Sequence, residues 1–234
     1  MINGKDKADF KLKTIGMTSS IVLSVLTVLT FAIAICTPPI SGPFATGTIT
    51  TYPYTDIISR FPRDYFWMYP AMALVLVFII YGVCVHRYAC SEKKLYSHIG
   101  VMFAVLASGI LFVDYFLQVT VIQQSLLNGE TEALALLTQY NPHGIFIALE
   151  EAGYLLLSFS ILFFAPVFTQ KGWLSNTLRW TCVVGFILSI AALGVITFVY
   201  GIQREYIFEI AVISIDFIVL IILGILSGIL FKRI

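Results

Sequence analysis

Six apolar runs, each long enough to cross a bilayer, constrain this 234-residue chain more than any other feature. They fall at about 16–36, 66–86, 97–121, 144–168, 177–200 and 207–231, and a spanning helix needs roughly 20 apolar residues. In hydrocarbon every backbone N–H and C=O must find its partner inside the protein, so runs of this length become helices. Composition agrees: 59% of residues are hydrophobic, 12% are charged, and the mean hydropathy is +0.94, outside the range of soluble domains. The expectation is an all-α, polytopic transmembrane helix bundle of six spans. It forms a single transmembrane domain over residues 1–234, with lipid bilayer as its main partner and no nucleic-acid partner. Ala32-Ile33-Ala34 after a basic start resembles a signal-peptide cleavage site, but the apolar stretch before it exceeds the roughly 7–15 residues of a signal core.

Lysine and arginine set the orientation, because cytoplasmic loops near the membrane carry an excess of both. Eleven of the fourteen basic residues lie on one side of the predicted spans, leaving Arg60, Arg63 and Arg204 on the other. Both termini are therefore expected in the cytoplasm, in a multi-pass protein of the cell membrane. Assigned to sides, the charges sum to +8 within and −7 on the outer side, spans included, which recovers the net +1. A field of that sign favours cations, amines or protons over anions at the outer mouth.

The loops are unequal. Residues 37–65, rich in Pro, Thr and aromatics such as Phe44, Tyr52, Tyr54 and Phe61, are too hydrophobic for disorder and are expected as an ordered loop capping the outer face. In the second outer connection, Ala133 to Leu137 suits a short interfacial helix, and Asn141-Pro142 reads as N-cap and first residue of span four. Tyr65, Trp67, Tyr69, Tyr140, Tyr200 and Tyr206 fall at the outer boundary, where amphipathic rings act as headgroup-level anchors.

Ionisable groups inside a span are costly and face a bundle interior or a watery cavity. Span four, GIFIALEEAGYLLLSF, carries two adjacent ones, Glu150 and Glu151. At 3.6 residues per turn His143, Glu150, Glu151, Tyr154 and Ser158 fit one arc of about 100°, so both carboxylates can border one pocket. Asp114, Gln118 and Ser125 align on span three, and Glu209, Asp216 and Ser227 on span six. Depth places Asp114, Glu150 and Glu151 roughly 6–12 Å below the outer boundary, with Asp216 near the midplane. The expected ligand-binding set is Glu150, Glu151, Asp114, Tyr154, Gln118, His143 and Asp216, around a cavity opening outward. Crowded carboxyls in low dielectric cannot all ionise, so at least one keeps a proton unless an Arg or a bound cation compensates. The competing expectation is that Arg60, Arg63 or Arg204 folds down on these acids as a structural pair.

Gly185-x-x-x-Ser189, Gly224-x-x-x-Gly228 and the Ser20, Ser24, Thr27 stripe let helices approach closely. Packing within the bundle is their first use, and a homodimer the alternative. Cys36, Cys84, Cys90 and Cys182 show no CxxC and no His at ligand spacing, so neither a metal nor a cofactor is expected. P-loop, HExxH and GxSxG motifs are absent.

SGPFATGTITTYPYTDIISRFPRDYFWMYP, VDYFLQVTVIQQSLLNGE and LLTQYNPHGIFIALEEAGYLLLSF resemble segments of a group of uncharacterised six-span integral membrane proteins from prokaryotes. The resemblance covers most of the chain and implies the six-span architecture, but no activity. Three function classes follow from the residues alone. The first is binding or transport of a small cation, amine or amphiphile in an acidic pocket, with proton coupling. The second is an intramembrane enzyme using a carboxylate as general acid or base, with Tyr154 or His143 as partner. The third is a non-catalytic scaffold whose acids are ion-paired.

Overall fold

The computed structural model describes residues 4–37, 40–41, 45 and 50–234, with side chains from Phe10 onward in the first helix. Six of its helices are long and apolar enough to cross a membrane, and no strand occurs among the described residues. They are α1 (Gly4–Ile35), α2 (Met68–Tyr88), α3 (Lys94–Leu117), α6 (Ile145–Phe164), α7 (Trp173–Tyr200) and α8 (Tyr206–Lys232). Two short helices, α4 (Gln123–Asn128) and α5 (Leu134–Leu137), lie between α3 and α6. Six passes return the chain to the end where it began, so the bundle has a termini end and a far end.

Local chemistry explains several boundaries. α1 starts well before the apolar run because residues 4–15 continue the helix beyond the length that lipid requires. α3 passes through one π-helical turn, Gln118–Ile122, into α4. That continuous rod ends at Gly129, whose φ of 72° is a left-handed conformation that costs glycine nothing. Span four does not begin at an Asn141 N-cap. Asn141 Oδ1 accepts from the His143 backbone N–H at 2.9 Å and its Nδ2 donates to Ala135 O at 2.7 Å. The residue thus closes a turn onto α5, and the helix starts only at Ile145. The short helix expected over 133–137 is α5.

Consecutive spans pack side by side, and α8 closes back onto α1 in the most extensive helix pair of the bundle. Close approach at that seam depends on Gly224: a Cβ there would sit 2.6 Å from the Ser20 carbonyl oxygen. Ser24 Oγ donates across the seam to Ile221 O at 3.0 Å. Gly185 likewise admits Val219, and Gly153 admits Leu111. Both small-residue motifs are used inside the bundle, as small residues and interhelical hydroxyl bonds are in membrane interiors generally. α6 is central, with 56% of its apolar window buried, whereas α7 is peripheral at 17%.

Of the expected ordered loop at 37–65, residues 38–39, 42–44 and 46–49, Phe44 included, lie outside the described residues. Elsewhere in the loop the Thr50 N–H donates to Ile40 O at 2.9 Å, and Tyr54 and Ile57 are buried beside the short 3-10 turns Thr55–Arg60 and Arg63–Tyr65. The boundary aromatics divide. Tyr69 and Tyr200 are exposed, as anchors are, but Tyr65, Tyr140 and Tyr206 are buried; the Tyr140 and Tyr206 hydroxyls find partners in Asp64 and Ser41, whereas that of Tyr65 has none.

Candidate functional site

Glu150 sits one and a half turns into α6 and is buried at 1% exposure. Its Oε1 accepts a 2.6 Å bond from the Tyr115 hydroxyl of α3, and Tyr115 and Tyr154 lie hydroxyl to hydroxyl at 3.0 Å. No ordinary donor reaches Glu150 Oε2. Glu209, in the first turn of α8, lines the neighbouring cavity.

Glu151, on the next position of the helix, has a different partner. Arg204, in the short connection before α8, forms an ion pair with its Oε2, donates to Thr197 Oγ1 at 3.2 Å, and lies over the Phe208 ring at 5.2 Å. This half-buried pair ties the α7–α8 connection to α6. Of the three arginines expected as structural partners, Arg204 alone pairs with a span-four acid. Arg63 turns instead to Asp64, its own neighbour, at 2.6 Å.

The other expected site residues scatter. Asp114 is buried on α3, with no partner at Oδ2. Gln118 is a brace rather than a pocket group: its Nε2 donates to Leu137 O at 2.6 Å and its Oε1 accepts from the Gln139 backbone N–H at 3.0 Å. Gln118 opens the π turn and meets the α5 segment, a partner that helical phasing alone does not name. His143 is exposed in the turn before α6 and shares no pocket with Glu150. Asp216 forms a separate, deeper node, accepting from Ser158 Oγ at 2.7 Å, with Ser158 also bonded to Ser189 at 2.9 Å.

A cavity of about 310 Å³ opens at the far end between α1, α6 and α8. Of the seven residues expected to line a pocket, only Tyr154 does so. Glu150 lies behind it, linked to Tyr154 through the Tyr115 hydroxyl. Sequence reasoning placed Glu209 on the same face as Asp216 but left it out of the site; the signal was the acid one turn after the Tyr206 that opens span six. Asp64 was missed altogether, because it precedes an apolar run and reads as a loop charge.

Among the described residues the cavity wall carries two acids, Glu209 and Asp64, seven aromatic residues, and no Lys, Arg or His. Asp64 is already compensated by Arg63 on its solvent side and accepts from the Tyr140 hydroxyl at 3.2 Å. Burial first, then Tyr65 and Asp64, pushes the Tyr140 phenol well up, so it stays a donor. Among the described residues Glu209 has no basic partner, though its place in the first turn of α8 gives its anion the favourable end of the helix dipole. The floor is aromatic: Phe31 meets Phe217 edge-on at 5.7 Å, and Phe217 meets Tyr154 at 5.8 Å. Ser41 ties the rim, donating to Tyr140 O at 2.6 Å and contacting the Tyr206 hydroxyl at 2.7 Å. Among the described residues no three His, Cys, Asp or Glu side chains converge as a metal would require.

No family model, no curated protein and no solved structure matches the chain. What stands without them is a multi-pass membrane protein of six apolar helices, and its function has to be argued from the cavity.

Proposed function

We propose that the far-end cavity binds a small amphiphilic cation, an ammonium group carried on an apolar body, with Glu209 as its counter-ion. The observation that carries this reading is the composition of the wall: an uncompensated carboxyl set among seven aromatic rings, with no basic side chain. Aromatic faces attract ammonium groups, the more so where water is excluded, and a cavity of about 310 Å³ fits the small end of ligand-binding pockets. The aromatic floor supports binding from one side over passage along a fixed open path. The eleven-to-three division of basic residues supports a mouth on the outer side of a cell membrane, and transport would require a second arrangement of the helices.

Titrating purified protein in detergent with benzyltrimethylammonium tests this. Binding is expected, and Glu209→Gln should weaken it by at least about tenfold, or 1.4 kcal/mol, while Asp64→Asn, whose charge Arg63 already satisfies, should have a smaller effect. An undiminished affinity in Glu209→Gln would remove the proposal's basis.

A second reading has one observation of its own. Tyr154 lines the cavity and contacts Tyr115, which donates to Glu150, an acid–base relay such as an intramembrane enzyme would use on a lipid-like substrate. Turnover lost in Tyr154→Phe with ligand binding retained would favour it.

A further inference from the structure

The α1–α8 seam is closed at Gly224 but open along its lipid side. A groove of about 900 Å³, against about 310 Å³ for the far-end cavity, runs between the two helices. It extends from Met17 to Ala32 on α1 and from Ile221 to Lys232 on α8, about 22 Å at 1.5 Å per residue. That length exceeds the depth of one leaflet, half of a hydrocarbon core roughly 30 Å thick. Its walls face outward, with Val25, Val28 and Ile225 exposed. One turn beyond Gly224, a Cβ at Gly228 would make only ordinary contacts, 3.5 Å to Ile21 and 3.8 Å to Ser20, so this glycine widens the groove rather than permitting the helices to touch.

Apolar walls alone do not select an occupant, because lipid tails are as apolar as the side chains they meet. Charge does. Among the described residues the wall holds no acid, Ser24 spends its hydroxyl on Ile221 O, and Lys232 stands at the termini end as the one charged member. Lys232 has no carboxylate partner among the described residues, and a lysine at a helix end lays its stem along apolar surface while its ammonium reaches headgroup level. Lys13 lies one turn before Met17 on α1 and adds a second cation at that end. The α7–α8 groove, by contrast, is smaller at about 510 Å³ and carries no charged residue.

We infer that the α1–α8 groove holds one acyl chain of an anionic phospholipid, with the headgroup phosphate against Lys232. A second copy of the chain fits less well. A two-fold dimer through this face, with its axis along the membrane normal, sets the two Lys232 ammoniums at the same depth on facing surfaces, a like-charge meeting that a phosphate relieves and a second copy creates. The inference does not depend on what the far-end cavity binds.

Native mass spectrometry and thermal melts of the detergent-purified protein test it, with phosphatidylglycerol and phosphatidylcholine of identical acyl chains as probes. One phosphatidylglycerol should bind about fivefold more tightly than phosphatidylcholine, the worth of one lysine near an anionic surface, and should raise the melting temperature. Lys232→Gln should abolish that preference, whereas Lys171→Gln, a basic residue outside the groove, should keep it. Val25→Trp and Ile225→Trp fill the groove from exposed positions and should each lose the bound lipid while melting as the parent does without lipid. Equal binding of the two lipids, a preference kept in Lys232→Gln, or lipid retained in both tryptophan variants overturns the site. Stabilisation by inorganic phosphate alone equal to that by the lipid would make it a free-anion site and overturn the acyl chain's part. A dimer in the parent that Val25→Trp dissociates would give the groove to a second copy instead.

Discussion

Arg204 closes on Glu151, one residue along the helix from a Glu150 that meets no basic group. Two adjacent carboxyls on α6 therefore do different work. One holds the α7–α8 connection in place, and the other stands behind the cavity with a phenol donor.

Neutralising either member of the ion pair leaves its partner half-buried without compensation. Glu151→Gln and Arg204→Gln should each lower stability by about 1–2 kcal/mol, discounted from the 3–5 of a fully buried pair because Arg204 keeps solvent contact. The double substitution should recover part of that loss. Melting temperatures in detergent across the four-protein cycle measure the coupling; singles that melt like the parent would show the contact to be energetically idle.

The α1–α8 seam should be intolerant of a single methyl group. Gly224→Ala places its Cβ against the Ser20 carbonyl, which cannot rotate away, at a cost of about 1–3 kcal/mol for overpacking. Gly109 has nothing within 4 Å of the same atom, so Gly109→Ala should be neutral or stabilise by a few tenths to about 1 kcal/mol through helix propensity. Parallel thermal melts give the comparison, and equal effects at the two sites would contradict the packing.

Gln118→Leu removes both bonds that hold the α5 segment to α3. Each buried backbone group left unsatisfied costs about 1–3 kcal/mol, so the 134–140 segment, which supplies Gln139 and Tyr140 to the cavity rim, should loosen. Faster proteolytic cleavage there, at a pace well above the parent's, is the expected readout. An unchanged cleavage rate would mean that the rim stands without this brace.

Orientation is checked by thiol labelling in intact cells, on a background freed of Cys36 and Cys90, the two exposed cysteines. Thr131→Cys, in the exposed connection after α4, should react with an impermeant reagent, and Ser91→Cys, between α2 and α3, should not. The opposite pattern would place the cavity on the cytoplasmic side.

Hydropathy located all six helices, because length and apolar content are properties of single segments. The site was only half legible, and the reason is geometric. Helical phasing puts Glu150, Glu151 and Tyr154 on one arc, but it says nothing of which neighbouring helix each meets. Arg204 distinguishes Glu151 from Glu150 through a contact 53 residues away in sequence. Gln118 bonds to the α5 segment, which packs there from further along the chain, and a turn closed by Asn141 leaves His143 outside the helix. The residues that border the cavity with Tyr154, Glu209 and Asp64 among them, come together only because α8 packs back on α1 and α6.

That packing of α8 on α1 has a consequence for biogenesis. During synthesis α1 enters the membrane before α8, and its Ser20–Ser24 face must wait, in lipid or against a chaperoning insertase, until Gly224 arrives some 200 residues later. The cavity is bounded by α1, α6 and α8, so no nascent chain that lacks α8 possesses it. The order of synthesis thus makes the cavity a late feature: a product truncated before Tyr206 keeps five of the spans and has no cavity wall from α8.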